Sequence, residues 1–262
     1  MTPLRQADLS LVEALFTDVD GTMTTDGRLT SKVIQNLELA SEHGLRVVLV
    51  TGRPAGFAEA WLRAFPVEAV IAENGGLYFT WAGARLKKVY ARPASKRIPE
   101  RARLHREVRA VLRRFPRLRL STDSAFTEVD LALDYNEEIH LGPAVAEAVI
   151  AQLRRRGVSA VRSSVHVNCW LGSFDKAKTV EQFLRREWKT GLQPNDRRFA
   201  YLGDSLNDAP LFARFPLSVG VANVREVLAE LPVAPRYVTQ RPEGHGFAEL
   251  VRAILSARGK VR

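Results

Sequence analysis

Cysteine is nearly absent: Cys169 is the only one among 262 residues. No internal disulfide framework is possible, and a reducing compartment suits the chain. Histidine is sparse too. His43, His105, His140, His166 and His245 show no paired metal-ligand spacing, which argues against zinc. No run is long and apolar enough to span a bilayer, so no membrane association is expected. Met1 to Leu15 lacks the basic, apolar, small-residue order of a secretory leader, and a cytoplasmic location is expected. Repeats and low-complexity tracts are missing as well. With 46% hydrophobic and 26% charged residues, the composition is that of a globular chain with length for one core or two modest ones.

The net charge of +10 is local. Arg85 to Arg119 holds fourteen Lys or Arg against Glu100 and Glu107, a segment charge of +12 that leaves −2 for the rest. Such a segment can meet a polyanion, an anionic substrate or only water. It lacks interleaved aromatics for base stacking. Arg101, Arg103, Arg106, Arg109, Arg113 and Arg114 spread around a helix instead of lining one stripe, which favours a solvated helix. Nucleic-acid binding through 85–119 is the alternative from a different class.

Asp18-Val19-Asp20-Gly21-Thr22 is the most informative stretch. It follows the apolar run Val12 to Phe16, which reads as a buried strand. Residues two apart in extended chain share a side, so both carboxylates converge where the strand ends. Gly21 lets the backbone turn away at once. Two like charges at about 4 Å repel by roughly 4 kcal/mol at an effective dielectric near ~20. A divalent cation with oxygen ligands relieves this. Alone, the pentapeptide reads equally as a turn. Residues 18 to 29 lack the later Glu of a calcium loop.

Five apolar runs each end in small or acidic residues: 14–17, 47–50, 69–72, 199–202 and 217–221. Helix-like stretches lie between several of them, at 31–43, 177–189 and 209–214. This alternation predicts a parallel sheet covered on both faces, with ligands at the strand carboxyl ends. The pattern breaks after Asn74-Gly75-Gly76. Residues 77–90 read as a hairpin, then come the basic helix, a helix over 142–157 and two strands of alternating polarity. Asp130, Asp134 and Asn136 share one face of the first strand, and His166, Asn168 and Trp170 one face of the second. The fold class predicted is α/β, a Rossmann-like doubly wound parallel-sheet core at 1–83 and 173–262, with an inserted α+β cap at 84–172.

Three more motifs fall at loop positions of the core. Thr51-Gly52-Arg53 offers a hydroxyl and Gly-loop amides to an anion. Lys176, with Lys178 competing, starts the helix after the insertion. Gly203-Asp204-Ser205-Leu206-Asn207-Asp208 adds two carboxylates and an amide on a strand-to-helix turn. Asp18, Asp20, Asp204 and Asp208 would then crowd one rim. Such repulsion is useful to a magnesium site that binds a phosphate.

These motifs, in this order and spacing, resemble the haloacid dehalogenase-like superfamily of phosphatases. Thr51 and Lys176 lie 125 positions apart, which matches the branch with a large α/β cap. The turn Glu73-Asn74-Gly75-Gly76 and the fourth motif look most like the mannosyl-3-phosphoglycerate and sucrose phosphatase-like members. The resemblance implies a Mg2+-dependent phosphomonoester hydrolase acting on a small sugar phosphate or mannosyl-3-phosphoglycerate-like ester. Asp18 would be the nucleophile and Asp20 the general acid and base. Lys176 would neutralise charge, and Thr51, Gly52, Arg53 and Asn207 would hold phosphate. Asp18, Asp20 (through its carbonyl), Asp204 and Asp208 would serve the metal. The cap would choose the substrate, with Trp170 available to stack on a sugar. A phosphomannomutase-like phosphohexomutase is the nearest enzyme alternative.

Overall fold

Ala-Leu-Phe-Thr at 14–17 and Val-Val-Leu-Val at 47–50 have no polar face, so each strand must be covered on both sides. A computed structural model of the chain, describing residues 1–261, shows how. Strands β1 (Thr2–Pro3), β2 (Ala14–Thr17), β3 (Arg46–Val50), β4 (Ala69–Ala72), β5 (Leu77–Ala82) and β6 (Arg85–Tyr90) precede the insertion. Strands β7 (Arg119–Leu120), β8 (Leu131–Asp134), β9 (Ser159–Arg162) and β10 (His166–Trp170) lie within it. Strands β11 (Phe199–Gly203), β12 (Leu217–Gly220) and β13 (Tyr237–Val238) follow. The helices are α1 (Ser31–Glu42), α2 (Ala55–Ala64), α3 (Ala94–Leu112), α4 (Pro143–Arg155), α5 (Lys176–Glu187), α6 (Ala209–Arg214) and α7 (Glu243–Ala257).

The large sheet runs β1-β13-β12-β11-β2-β3-β4-β5-β6, with parallel pairing throughout except at β4–β5 and β5–β6, where β5 alone is reversed. Alternate residues go to opposite faces. Leu15, Val47 and Leu49 join one core with α1, α2 and α7, while Phe16, Val48 and Val50 join another with α5 and α6. The chain winds outward in both directions from β2, through β3 on one side and β11 on the other. Their carboxyl ends therefore flank a crevice, the usual place for a ligand in such a sheet.

The small sheet runs β7-β8-β10-β9. One face packs on α3 and α4 through Leu131, Leu133, Val167, Cys169, Leu104 and Ile150. The other face, away from α3 and α4, carries Ala132, His166 and Asn168, all buried. Two sequence expectations need correction here. β6 pairs along its whole length with β5 in the large sheet, so a boundary at 83/84 cuts a hairpin. The two edge strands β7 and β9 were not foreseen. β7 is only two residues long, and β9 (Ser-Ala-Val-Arg) is too short for its alternation to stand out. No helix among the described residues is long and apolar enough to cross a membrane.

Candidate active site

The first acidic loop continues the pairing of β2 with β11. The Asp18 backbone N–H donates to the Leu202 carbonyl at 2.9 Å. At this end of the sheet Asp18, Asp204 and Asp208, all buried, each bring a carboxylate oxygen within 4.8 Å of the others. Lys176 enters from the first turn of α5 and is 2% exposed. Its Nζ lies 2.9 Å from Asp18 Oδ1 and 2.7 Å from Asp208 Oδ1. Lys178, about 200° further round the helix, is exposed and pairs with Asp175. Of the two lysines, Lys176 is the one at the acidic cluster.

Asp208 is turned into its own loop. Its Oδ2 accepts N–H bonds from Asp204 and Ser205 at 3.0 and 3.1 Å, and Oδ1 also accepts the Tyr201 hydroxyl at 2.6 Å. It anchors the turn and Lys176 more than it faces outward. Asp204 Oδ1 accepts the Thr22 hydroxyl at 2.9 Å. The close approach of these loops depends on Gly21. A Cβ there would lie 2.4 Å from Asp204 Oδ2, and φ is +74°. Thr22 and Tyr201 were given no role by sequence reasoning, although Thr22 sits in the first motif.

Three buried carboxylates crowd one ammonium, and the imbalance is visible in the acidity of Asp18 and Asp204. Burial pushes Asp18 up to about 7, with Asp208 and Asp20 adding to the rise and Lys176 opposing it. Burial likewise holds Asp204 well above the ordinary carboxylate range, helped by Asp18 and Asp208. For Lys176 burial disfavours the charge, but Asp18 and Asp208 more than offset it and raise its value. Uncompensated negative charge with oxygen-only donors fits a hard divalent cation such as Mg2+ and not a soft one.

The fit has a measurable consequence. In metal-free protein the native state holds a proton on Asp18 that the unfolded chain releases above 3.8. That contribution to stability is complete below 3.8 and is lost as pH rises through about 7. Calorimetry should therefore find metal-free protein melting lower at pH 8 than at pH 5.5, and Mg2+ should raise the melting temperature most at pH 8. Asp18→Asn should shrink both effects; undiminished effects in that variant would show that Asp18 is not their source.

Asp20 stands apart from the buried trio, which corrects the expectation of four crowded side chains. Its carboxylate is gripped by Arg53 through Nε and Nη2 at 2.8–3.0 Å. Arg53 also reaches two residues of the insertion, Asp123 at 3.2 Å and Glu137 at 2.6 Å. Burial opposes the Arg53 charge, but Asp20 and then Glu137 hold its acidity below that of an ordinary arginine. Glu137 is held down to about 2, first by His166 and then by Arg53, against the effect of burial. His166 Nε2 is 2.7 Å from Glu137 Oε2, a close contact without hydrogen-bond alignment. Arg53 is thus occupied by carboxylates and is not an open anion receptor. Thr51 Oγ1 accepts the Arg53 N–H at 2.9 Å, and Asn207 Oδ1 accepts the Ser205 hydroxyl at 2.7 Å.

Asp18, Asp20, Gly52 and Asn207 line a cavity of about 10 Å³ roofed by His166 and Asn168. It has room for about one water. A wider cavity of about 820 Å³ opens beside it, between Asp20, Asp204 and Glu226 on one wall and Asn136, Arg162 and Ser164 on the other. Residues 85–119 line neither cavity, so the basic segment does not supply the site's charge. Trp170 is not a stacking platform for a sugar. Its ring stacks on Phe174 and its N–H donates to the Phe174 carbonyl at 3.1 Å. Asp134 is spent on the backbone N–H groups of Asn136, Glu137 and Glu138. Of the expected polar roof, His166 and Asn168 reach the small cavity and Asn136 reaches the wider one. Sequence reasoning also missed Glu73. Its buried carboxylate accepts N–H bonds from Ala55, Glu128, Val129 and Asp130 at 2.6–2.9 Å, fastening the insertion to the core.

Residues 15–100 match the sequence model of a haloacid dehalogenase-like hydrolase family. A phosphoglycolate phosphatase of Methanothrix thermoacetophila is 27% identical over 253 residues, spanning 94% of this chain and 99% of that protein. Among solved structures, one from Thermoplasma acidophilum superimposes with a TM-score of 0.69 at 21% identity, covering 93% of this chain and 98% of the other. The sucrose-phosphatase of Synechocystis gives 0.65 at 17% identity, again over 93% of this chain and 98% of the other.

Proposed function

We propose that this chain, a haloacid dehalogenase-like phosphatase, is a Mg2+-dependent phosphomonoester hydrolase that passes the phosphoryl group through Asp18. The observation that carries the reading is the buried trio Asp18, Asp204 and Asp208 closed on Lys176. Lys176 holds Asp18 Oδ1, leaving Oδ2 to attack phosphorus as the ester P–O bond breaks; the product is an aspartyl phosphate and the freed alcohol. Asp20 gives its proton to the departing oxygen. The same carboxylate then takes a proton from the water that attacks phosphorus and releases Asp18 and inorganic phosphate. Thr51, Gly52 and Asn207 orient the phosphoryl oxygens. Asp18, Asp204 and the Asp20 carbonyl would hold Mg2+, with Asp208 behind them. When bound, the cation neutralises the carboxylates and the phosphoryl charge.

Residues 91–172 are read as the cap, after the β5–β6 hairpin. The cap brings Ser163 and Ser164 to both the small space over Asp18 and the wider cavity beside it. Those short hydroxyl donors, with the name of the Methanothrix relative, support 2-phosphoglycolate as substrate, its phosphoryl group at Asp18 and its carboxylate toward the wider cavity. A sugar phosphate is the second reading. It is favoured by the wider cavity, where Asp26, Asn136 and Glu226 could accept or give hydroxyl bonds. The buried thiol of Cys169 suits a reducing cytoplasm.

Release of inorganic phosphate from a panel with Mg2+ tests both parts. The kcat/KM for 2-phosphoglycolate should exceed that for hexose 6-phosphates and mannosyl-3-phosphoglycerate by about 10-fold or more, the scale of one charged hydrogen bond. Excess chelator should abolish activity and Mg2+ restore it. Full activity in chelator would end the cation reading; a hexose phosphate preference would select the second substrate; phosphate exchange without net release would make it a mutase.

A further inference from the structure

Among the described residues, Arg53 is the one group whose hydrogen bonds join Asp20 to the insertion. A guanidinium is planar and offers five N–H donors in a fixed fork. Here Nε and Nη2 take Asp20, Nη2 also takes Glu137, and Nη1 takes Asp123. The core supplies the inner partner and the insertion both outer ones. The side chains of Arg53, Asp20, Asp123 and Glu137 are 15%, 20%, 9% and 31% exposed, so the contacts are partly shielded from water and salt, most of all at Asp123.

Both outer carboxylates are themselves fixed. Asp123 accepts the Ser121 hydroxyl. The Glu137 backbone N–H donates to Asp134 at 2.8 Å, and its carboxylate meets His166. Beside the cluster, Phe126 of the insertion packs on Phe57 of α2 with ring centroids 6.4 Å apart. The insertion thus docks where Arg53 emerges. Take it away and Arg53 keeps Asp20 alone, on a flexible stem with one edge free. The carboxyl at its tip would then be held by a mobile partner, and a displacement near 1 Å at a reacting group can cost about 100-fold.

We propose that Arg53, Asp123 and Glu137 form a positioning unit, in which the two cap carboxylates seat the guanidinium so that it fixes the Asp20 carboxyl for proton delivery to the leaving oxygen. This rests on Asp20 being the proton donor. None of the three residues contacts phosphorus; they act through Asp20. Closure of the cap would then complete the proton donor as well as exclude water.

The test compares two leaving groups in the double variant Asp123→Asn/Glu137→Gln, reading kcat/KM, which covers steps up to departure of the alcohol. The alkoxide of 2-phosphoglycolate needs a proton, whereas p-nitrophenolate leaves largely without one. General acid catalysis contributes about 10²- to 10⁴-fold, so the expected loss is about 30-fold or more on 2-phosphoglycolate and under about 3-fold on p-nitrophenyl phosphate. Arg53→Lys should show the same asymmetry, because an ammonium cannot span three carboxylates. Single Glu137→Gln, at a partly exposed position, keeps the test valid if the double variant folds poorly; it should show the asymmetry at smaller size. Equal losses on both esters, or no loss on either, overturn the positioning unit while leaving the phosphatase reading intact. Wild-type protein that releases phosphate from no ester of the panel overturns the phosphatase reading and this inference with it; if a hexose phosphate is the preferred ester, it takes the place of 2-phosphoglycolate in the comparison.

Discussion

Asp18→Asn should abolish turnover, by at least about 10⁴-fold, as expected for removal of a nucleophile, while the chain stays folded. Asparagine keeps the volume and an oxygen for Lys176 but loses the negative charge proposed to attack phosphorus. It also removes one of three like charges from a buried cluster, so metal-free Asp18→Asn should melt no lower than wild type. Phosphate release and a thermal melt on the same preparation check both halves. A variant that keeps the wild-type rate would remove Asp18 from the reaction.

Lys176→Met should have the second-largest effect, and on stability as well as rate. Methionine is similarly long and fills the same space, but Asp18 and Asp208 lose their shared cation at 2.9 and 2.7 Å. Removing one partner of a buried ion pair costs about 3–5 kcal/mol, a fall in melting temperature on the order of 10 °C for a chain of this size. Lys178→Met, on the exposed side of α5, should stay within about 0.5 kcal/mol of wild type. Adding Asp18→Asn to Lys176→Met should recover part of the loss, because the two residues are coupled. An unchanged melting temperature in Lys176→Met, with lost activity in Lys178→Met, would exchange the roles of the two lysines.

The parts of the site that were legible in the sequence share one property. Asp18, Thr51, Lys176 and Asp204 stand next to strands or helix starts whose apolar runs are strong, so the topology alone delivers them to one crevice. The α/β core and its helices were readable for the same reason. What was not legible depends on pairing across long sequence distance. Arg53 looked like a phosphate ligand because nothing local reveals that Asp123 and Glu137, 70 and 84 residues away, will claim it. Trp170 alternates correctly with His166 and Asn168, yet Phe174 captures its ring. Glu73 lies in a turn noted for its glycines, and only the folded chain shows four N–H groups converging on its carboxylate. The division at 83/84 cut a hairpin that was itself legible at 77–90, because the basic residues from Arg85 onward were grouped with the basic helix; they sit on β6 as an edge strand, whose partly exposed position permits Lys87 and Lys88.

The central claim is that the phosphoryl group travels on Asp18. Rapid-quench mass spectrometry during turnover of 2-phosphoglycolate with Mg2+ tests it most directly. The account predicts a phosphoryl adduct on Asp18 itself, present in the first turnover and absent in Asp18→Asn. Steady release of phosphate with no adduct, or with the adduct on another residue, would contradict it.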